Sequence, residues 1–233
     1  MKNLFRKIVN KIILPHSQLA YAQSGEDLII AHLFFKLDIP QPTYLDIGAN
    51  HPFFISNTYY FYLRGSRGVC IEPNPNLYRL IKKARPGDTV INAGVGIDQK
   101  KEADFYLFPS HADGLSTFSK KEAEYWGEVG MRNKGKIKYE QVIRMPLITI
   151  NDVIKENYTT GPDFISIDVE GLDLPILRSL DYNRYGPKVI CVETLVYDID
   201  QKETKNSEII DFLTAKGYQI YADTHVNTIF TKL

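Results

Sequence analysis

From residue 43 onward, short apolar runs alternate with stretches of helical periodicity, and that alternation restricts the chain to a parallel sheet with helices packed on its faces. The runs YLDI, GVCIE, TVINA, DFISID and KVICVE predict strands at 44–47, 68–72, 89–93, 163–168 and 188–193. They are almost continuously apolar, as strands covered on both faces must be, and each closes on a polar or turn residue. Helices are expected between them at 56–64, 76–84, 150–157, 174–180 and 205–216, the last ended by Gly217. The segments YQIYAD and HVNTIFTK then alternate in period two and predict a closing antiparallel hairpin. The expected fold class is α/β: a doubly wound, mostly parallel sheet ending in an antiparallel hairpin.

Residues 100–147 break the alternation, with strands expected at 104–108 and 141–145 around a polar stretch, and are read as an insertion or lid. With no repeat or linker, 20–233 reads as one domain carrying that insertion. Residues 1–19 form an N-terminal segment whose first fourteen, MKNLFRKIVNKIIL, read as a basic amphipathic helix, either packed on the domain or touching an anionic membrane surface. Its apolar part is too short for a secretory signal, and no run approaches the ~20 residues of a spanning helix. The 28 basic and 28 acidic side chains cancel, which argues against a nucleic-acid partner. Cys70 and Cys191 lie inside apolar runs and read as buried thiols in a reducing, cytoplasmic compartment, with the inner face of the membrane as the site of any peripheral contact.

In an open parallel sheet, ligands bind beyond the carboxyl ends of the strands. Here those ends carry Asp46, Gly48 and Asn50, then Glu72, then 92–96, then Asp168 and Glu170, then Glu193. Gly48 allows a tight turn, and Glu72 ends the second strand, where a carboxylate takes the hydroxyls of a ribose. The run Gly48, Ala49, Asn50, His51, Pro52 lacks the glycines of a pyrophosphate cradle. With an acid at Asp46 it suits a cofactor that has an amino group and no phosphate, such as S-adenosylmethionine.

These residues resemble the FkbM-type methyltransferases, a class I S-adenosylmethionine-dependent family with a Rossmann-like sheet. The resemblance rests on YAQSGEDLII, YLDIGANHPFFISNTYYFY, GVCIEPNP, the STFS tetrapeptide at 116–119, PLITINDVI, FISIDVEGLDLPIL and PKVICVET, in that order. It implies O-methylation of a sugar or small-metabolite hydroxyl, within polysaccharide biosynthesis. It also implies that Asp46 and Gly48 line the methionine part of the cofactor, Asn50 contacts the cofactor, Glu72 holds the ribose, Asn74 borders the adenosine, and Gln23 with its GED neighbours folds back over the cleft. The departure from the general class pattern is Pro52, which stands where glycine is usual.

Methyl transfer to a hydroxyl needs a base or a metal to take the proton. Asp168 and Glu170 are the candidate bases, with His51 a third. Asp168 and Glu193, on neighbouring strand ends, are candidate ligands for Mg2+. Caps and turns are the plainer roles for all these acids. Tyr59, Tyr60, Phe61 and Tyr62 read as a core face, and Tyr125 with Trp126 as an acceptor-binding pair in the insertion. The competing function is a binding protein that keeps the fold without turnover.

Overall fold

The computed structural model describes residues 17–129, 136–169, 171–197 and 203–232. Twelve strands are formed there: β1 (Tyr44–Ile47), β2 (Gly68–Ile71), β3 (Thr89–Ile91), β4 (Gly94–Gly96), β5 (Glu102–Leu107), β6 (Gln141–Thr149), β7 (Phe164–Ile167), β8 (Val189–Glu193), β9 (Leu195–Tyr197), β10 (Glu203–Lys205), β11 (Gln219–Asp223) and β12 (Asn227–Thr231). The helices are α1 (Glu26–Lys36), α2 (Tyr59–Leu63), α3 (Pro75–Ala84), α4 (Lys120–Val129), α5 (Ile150–Asn157), α6 (Asp173–Ser179), α7 (Tyr182–Tyr185) and α8 (Ser207–Ala215). The main sheet has the order β11-β12-β8-β7-β1-β2-β3. Its strands are parallel except β12, which pairs antiparallel with both β8 and β11. This is the expected doubly wound plan with its closing hairpin, and the strand order reverses between β1 and β7.

Period-two alternation sorts the strand side chains onto two faces. Leu45, Ile47, Val69, Ile71, Ile165, Ile167, Ile190 and Val192 join Val153 and Ile154 of α5, Ile176 and Leu177 of α6, and Ile209 and Leu213 of α8 in one core. Tyr44, Cys70, Phe164 and Cys191 face the other way, against Ile30, Leu33 and Phe34 of α1, Tyr60 and Phe61 of α2, and Ile81 of α3. Both cysteines are free and buried, as expected. Tyr60 and Phe61 are core residues, while Tyr59 and Tyr62 are half-buried. Gly217 has φ +86°; its N–H donates to the Thr214 carbonyl and that of Tyr218 to the Leu213 carbonyl, the paired bonds of a left-handed helix stop.

The predicted helix at 205–216 starts later, because Asn206 caps it by accepting from Ile209 N, while Lys205 belongs to β10. The predicted helix at 56–64 shortens to α2, because 51–58 is spent on a turn described below. Strands β4, β5 and β6, between 94 and 149, build a smaller sheet of order β4-β6-β5 beside a separate cluster of Tyr106, Phe108, Ala112, Leu115, Ala123 and Ile137. Trp126 packs on that cluster and does not line the cleft. The amphipathic segment 1–14 and Glu170 lie outside the described residues. No helix among the described residues is long and apolar enough to cross a membrane.

Under the start of the sheet lies an ionic network with no access to water. Arg85 is 0% exposed; its Nε donates to Asp88 at 2.8 Å, and its Nη2 donates to the hydroxyls of Tyr44 and Thr58, each at 3.0 Å. Its Nη1 has no hydrogen bond and lies 3.9 Å from an oxygen of Asp46. Removing one partner of a buried charge set strands the others. Arg85→Met should therefore cost about 3–5 kcal/mol, read as a lowered urea midpoint at unchanged slope. A loss under 1 kcal/mol would show that water reaches the network.

Candidate functional site

A cleft of about 420 Å³ opens at the carboxyl ends of β1, β2, β7 and β8. Two of the loops that frame it are joined by one side chain. Glu72, 4% exposed, accepts from the backbone N–H of Asn50 on one oxygen and from that of Asn74 on the other, each at 2.7 Å. The loop after β2 is anchored in turn by Asn92, whose amide donates to the carbonyls of Glu72 and Pro73. Asn50 sits at φ +49°, a conformation asparagine tolerates better than most residues, and this turns its N–H towards Glu72.

Gly48 lines the cleft with φ +79°, yet the crowding that demands glycine comes from the protein. A Cβ there would lie 1.9 Å from the Asp168 carbonyl oxygen, so the β1 and β7 loops cross in backbone contact. Glycine is required here by the approach of one loop to another. Asp46 does not line the cleft: it shares a strand face with Tyr44, accepts from the Thr58 hydroxyl and faces Arg85. Asn74 is also turned away, capping α3 by accepting from Asn76 N at 3.0 Å.

The GED residues perform the expected fold-back. Glu26 is buried and accepts from the Thr224 hydroxyl at 2.6 Å and the Asn227 amide at 3.0 Å, tying the start of α1 to the closing hairpin. Asp27 accepts from Tyr21 N and Leu28 N. Gly25 makes the turn at φ +87°, and Gln23 is held at the cleft.

His51 is not placed as a base. Its Nδ1 accepts from Phe54 N at 3.1 Å and Phe53 N at 3.4 Å, which puts the proton of the neutral ring on Nε2 and leaves no spare lone pair for a substrate. Burial lowers its pKa, opposed by nearby Asp113. The ring organises a turn that exposes Phe53 and Phe54 and holds Ile55 at φ +53°, a strained conformation for a β-branched residue, at the edge of the cleft.

Asp168, Val169 and Glu193 line the other side, so Asp168 and Glu193 do share one crevice. Asp168 is open to the cleft; the protein around it and the neighbouring charges of Asp173 and Asp46 push its carboxyl above the usual range. Asp173 accepts from Val169 N and Gly171 N and so shapes the turn into α6. Among the described residues no cluster of three or more His, Cys, Asp or Glu is arranged to hold a metal ion.

The third wall comes from the insertion and was missed by reasoning from strand ends. Asp113, Gly114, Leu115, Ser116, Thr117 and Phe118 line the cleft together with Phe105. The STFS tetrapeptide builds this wall. Thr117 exchanges backbone bonds with Tyr106, Ser116 accepts from Phe108 N, Ser119 accepts from Glu122 N in α4, and Phe118 lies where a Cβ on Gly94 would meet it at 2.3 Å. Among the described residues no Lys or Arg lines the cleft, against four carboxylates: Glu72, Asp113, Asp168 and Glu193.

Burial, with Asp113 and Asp46 adding to it, raises the Glu72 pKa to about 8 despite its two N–H donors. A carboxyl that binds its proton more tightly folded than unfolded gives stability that is full below the unfolded value and is lost as pH rises to the folded one. Wild-type protein should lose this contribution between about pH 4.5 and 8. Glu72→Gln, which does not ionise, should melt lower at pH 5 because its amide opposes one N–H, with the gap narrowing by pH 9. A pH-independent gap would show that Glu72 stays ionised throughout.

Compared with known families, residues 46–220 match the model described as the Methyltransferase FkbM domain. A comparison with curated proteins returns no match. Among solved structures, a TehB-like SAM-dependent methyltransferase from Corynebacterium glutamicum is 10% identical, with 99% of this chain and 97% of that one covered and a TM-score of 0.43. An O-methyltransferase from Bacillus cereus in complex with SAH is also 10% identical, at 99% and 90% coverage and a TM-score of 0.45. The family model spans well over half of the sequence and includes the β1, β2, β7 and β8 ends that frame the cleft, so this chain belongs to the FkbM methyltransferase family.

Proposed function

We propose that the protein transfers a methyl group from S-adenosylmethionine to a hydroxyl of a carbohydrate or small metabolite. The observation that carries the reading is the wall chemistry: among the described residues it has four carboxylates and no basic side chain. Such a cleft repels a phosphorylated cofactor and suits one bearing a sulfonium and an ammonium group. Its size is within the range for small organic ligands, and Pro73, Leu77, Phe105 and Phe118 offer apolar surface for a purine. When bound, this cofactor supplies an electrophilic methyl group.

The chain's own residues then have separable tasks. Glu72 keeps a second lone pair on each oxygen after its backbone bonds, enough to accept from ribose hydroxyls. Asn50 and Gly48 border the methionine side, and Gln23 overhangs it. Asp168 is the group that takes the acceptor proton: it faces the cleft, and its raised pKa brings it towards neutrality, where a general base works best. Asp168 and Glu193 are the two carboxylates that would hold a Mg2+ ion, which would supply a lowered pKa to the acceptor hydroxyl. Membrane-side location and a place in polysaccharide biosynthesis extend the same reading, through the basic N-terminal segment and the sugar acceptor.

Isothermal titration with S-adenosylmethionine and S-adenosylhomocysteine, in Mg2+ and in EDTA, tests the cofactor. Micromolar binding in both buffers is expected, weakened at least about 10-fold by Glu72→Ala. Labelled methyl transfer to a panel of sugars tests the reaction. Asp168→Asn should lower kcat by about 100-fold or more with little change in cofactor affinity. Binding without transfer to any hydroxyl acceptor would favour the binding-protein reading, and transfer abolished by EDTA would place a metal between Asp168 and the acceptor.

A further inference from the structure

The cleft contains an acid that neither the strand ends nor the motifs mark. Asp113 opens the short turn Asp113–Leu115, and the turn is fixed on three sides. Leu115 is buried in the insertion's own core, Ser116 N donates to the Asp113 carbonyl at 3.0 Å, and Gly114 comes so near the β1 loop that a Cβ there would lie 3.4 Å from the Asn50 amide nitrogen. The turn therefore stands against Asn50, whose own N–H is bonded to Glu72. Asp113, Asn50 and Glu72 line the same cavity, with the insertion on one side and the sheet on the other.

Carboxylates on opposite walls of a cleft repel each other unless something between them donates. Among the described residues no Lys or Arg lines this cleft. Glu72 is already bonded to two N–H groups and fixed in place, whereas Asp113 makes no side-chain hydrogen bond among the described residues. The vacant acceptor capacity thus lies on the insertion side, facing the residue placed to hold a ribose. Two adjacent hydroxyls provide two O–H donors, one for each wall.

We propose that Asp113 is a second recognition residue for the ribose diol, accepting one hydroxyl from the insertion side while Glu72 accepts the other from the sheet. This rests on the S-adenosylmethionine reading and deepens it. The insertion becomes part of the cofactor site through a specific polar contact, in addition to its apolar wall of Phe105 and Phe118.

The test is a titration cycle on the full chain with S-adenosylhomocysteine and its 2′-deoxy and 3′-deoxy analogues, using wild type, Asp113→Ala and Asp113→Asn, with circular dichroism to confirm the fold. Asp113→Ala should weaken S-adenosylhomocysteine by about 10- to 100-fold. One deoxy analogue should bind wild type about that much more weakly and lose nothing further in Asp113→Ala, whereas the other should still lose the full factor. Asp113→Asn should recover part of the loss. Wild-type affinity in Asp113→Ala overturns the proposal, and so does an equal loss for all three ligands, which would mark a wall-shaping role. Failure of the wild type to bind S-adenosylhomocysteine sinks the cofactor reading, and this one with it; wild-type binding with an indifferent Asp113 sinks this one alone.

Discussion

One carboxylate sets the geometry of the cleft. Glu72 holds the N–H of Asn50 on one oxygen and that of Asn74 on the other, so the loops after the first two strands have a fixed separation. Desolvating that carboxyl is costly, and its raised pKa is the trace of that cost. The structure accepts the cost because both N–H groups would otherwise be left without partners. The cap of α3, the left-handed turn at Asn50 and the position of the insertion's turn against Asn50 all follow from the same clamp.

Acidic groups near the site divide into two sets with different duties. Asp46 and Asp88 face inward to Arg85, where their task is to neutralise a guanidinium sealed beneath the sheet. Glu72, Asp113, Asp168 and Glu193 face the cleft, with no basic residue among its described lining. The first set fixes the start of the sheet, and the second gives the cavity its character as a receptor for positive charge and hydrogen-bond donors. The two directions meet at the end of β1: inside the strand Asp46 goes to the buried network, and just past it the left-handed turn at Gly48 carries the chain to the cleft.

Strand positions were legible because the sheet is covered on both faces, which leaves β1, β2, β7 and β8 as apolar runs closed by polar residues. Glu72, Asp168, Glu193, Gly48 and Asn50 were legible as cleft residues for the same reason, since chain order and strand ends fix where the loops gather, whereas Gln23 was marked only by the family resemblance. What sequence could not reveal was direction. Asp46, Asn74 and His51 are adjacent to the cleft in sequence but are turned towards Arg85, α3 and the 51–54 turn by hydrogen bonds that depend on tertiary packing. Asp113 was hidden because the insertion has no strand-end register to point it out; the STFS motif three residues on was the available signal, and its work proves to be building the wall.

The bond from Glu26 to Thr224 and Asn227 spans 198 and 201 positions of the chain. The loop that brings Gln23 over the cleft is therefore anchored to a hairpin made some two hundred residues later in synthesis. On a ribosome the sheet from β1 to β8 can pair before that hairpin exists, but the cleft lacks its overhanging side until β12 inserts beside β8. A chain that stops short of β12 thus lacks the partners that hold Glu26, and with them the anchor of the loop that carries Gln23.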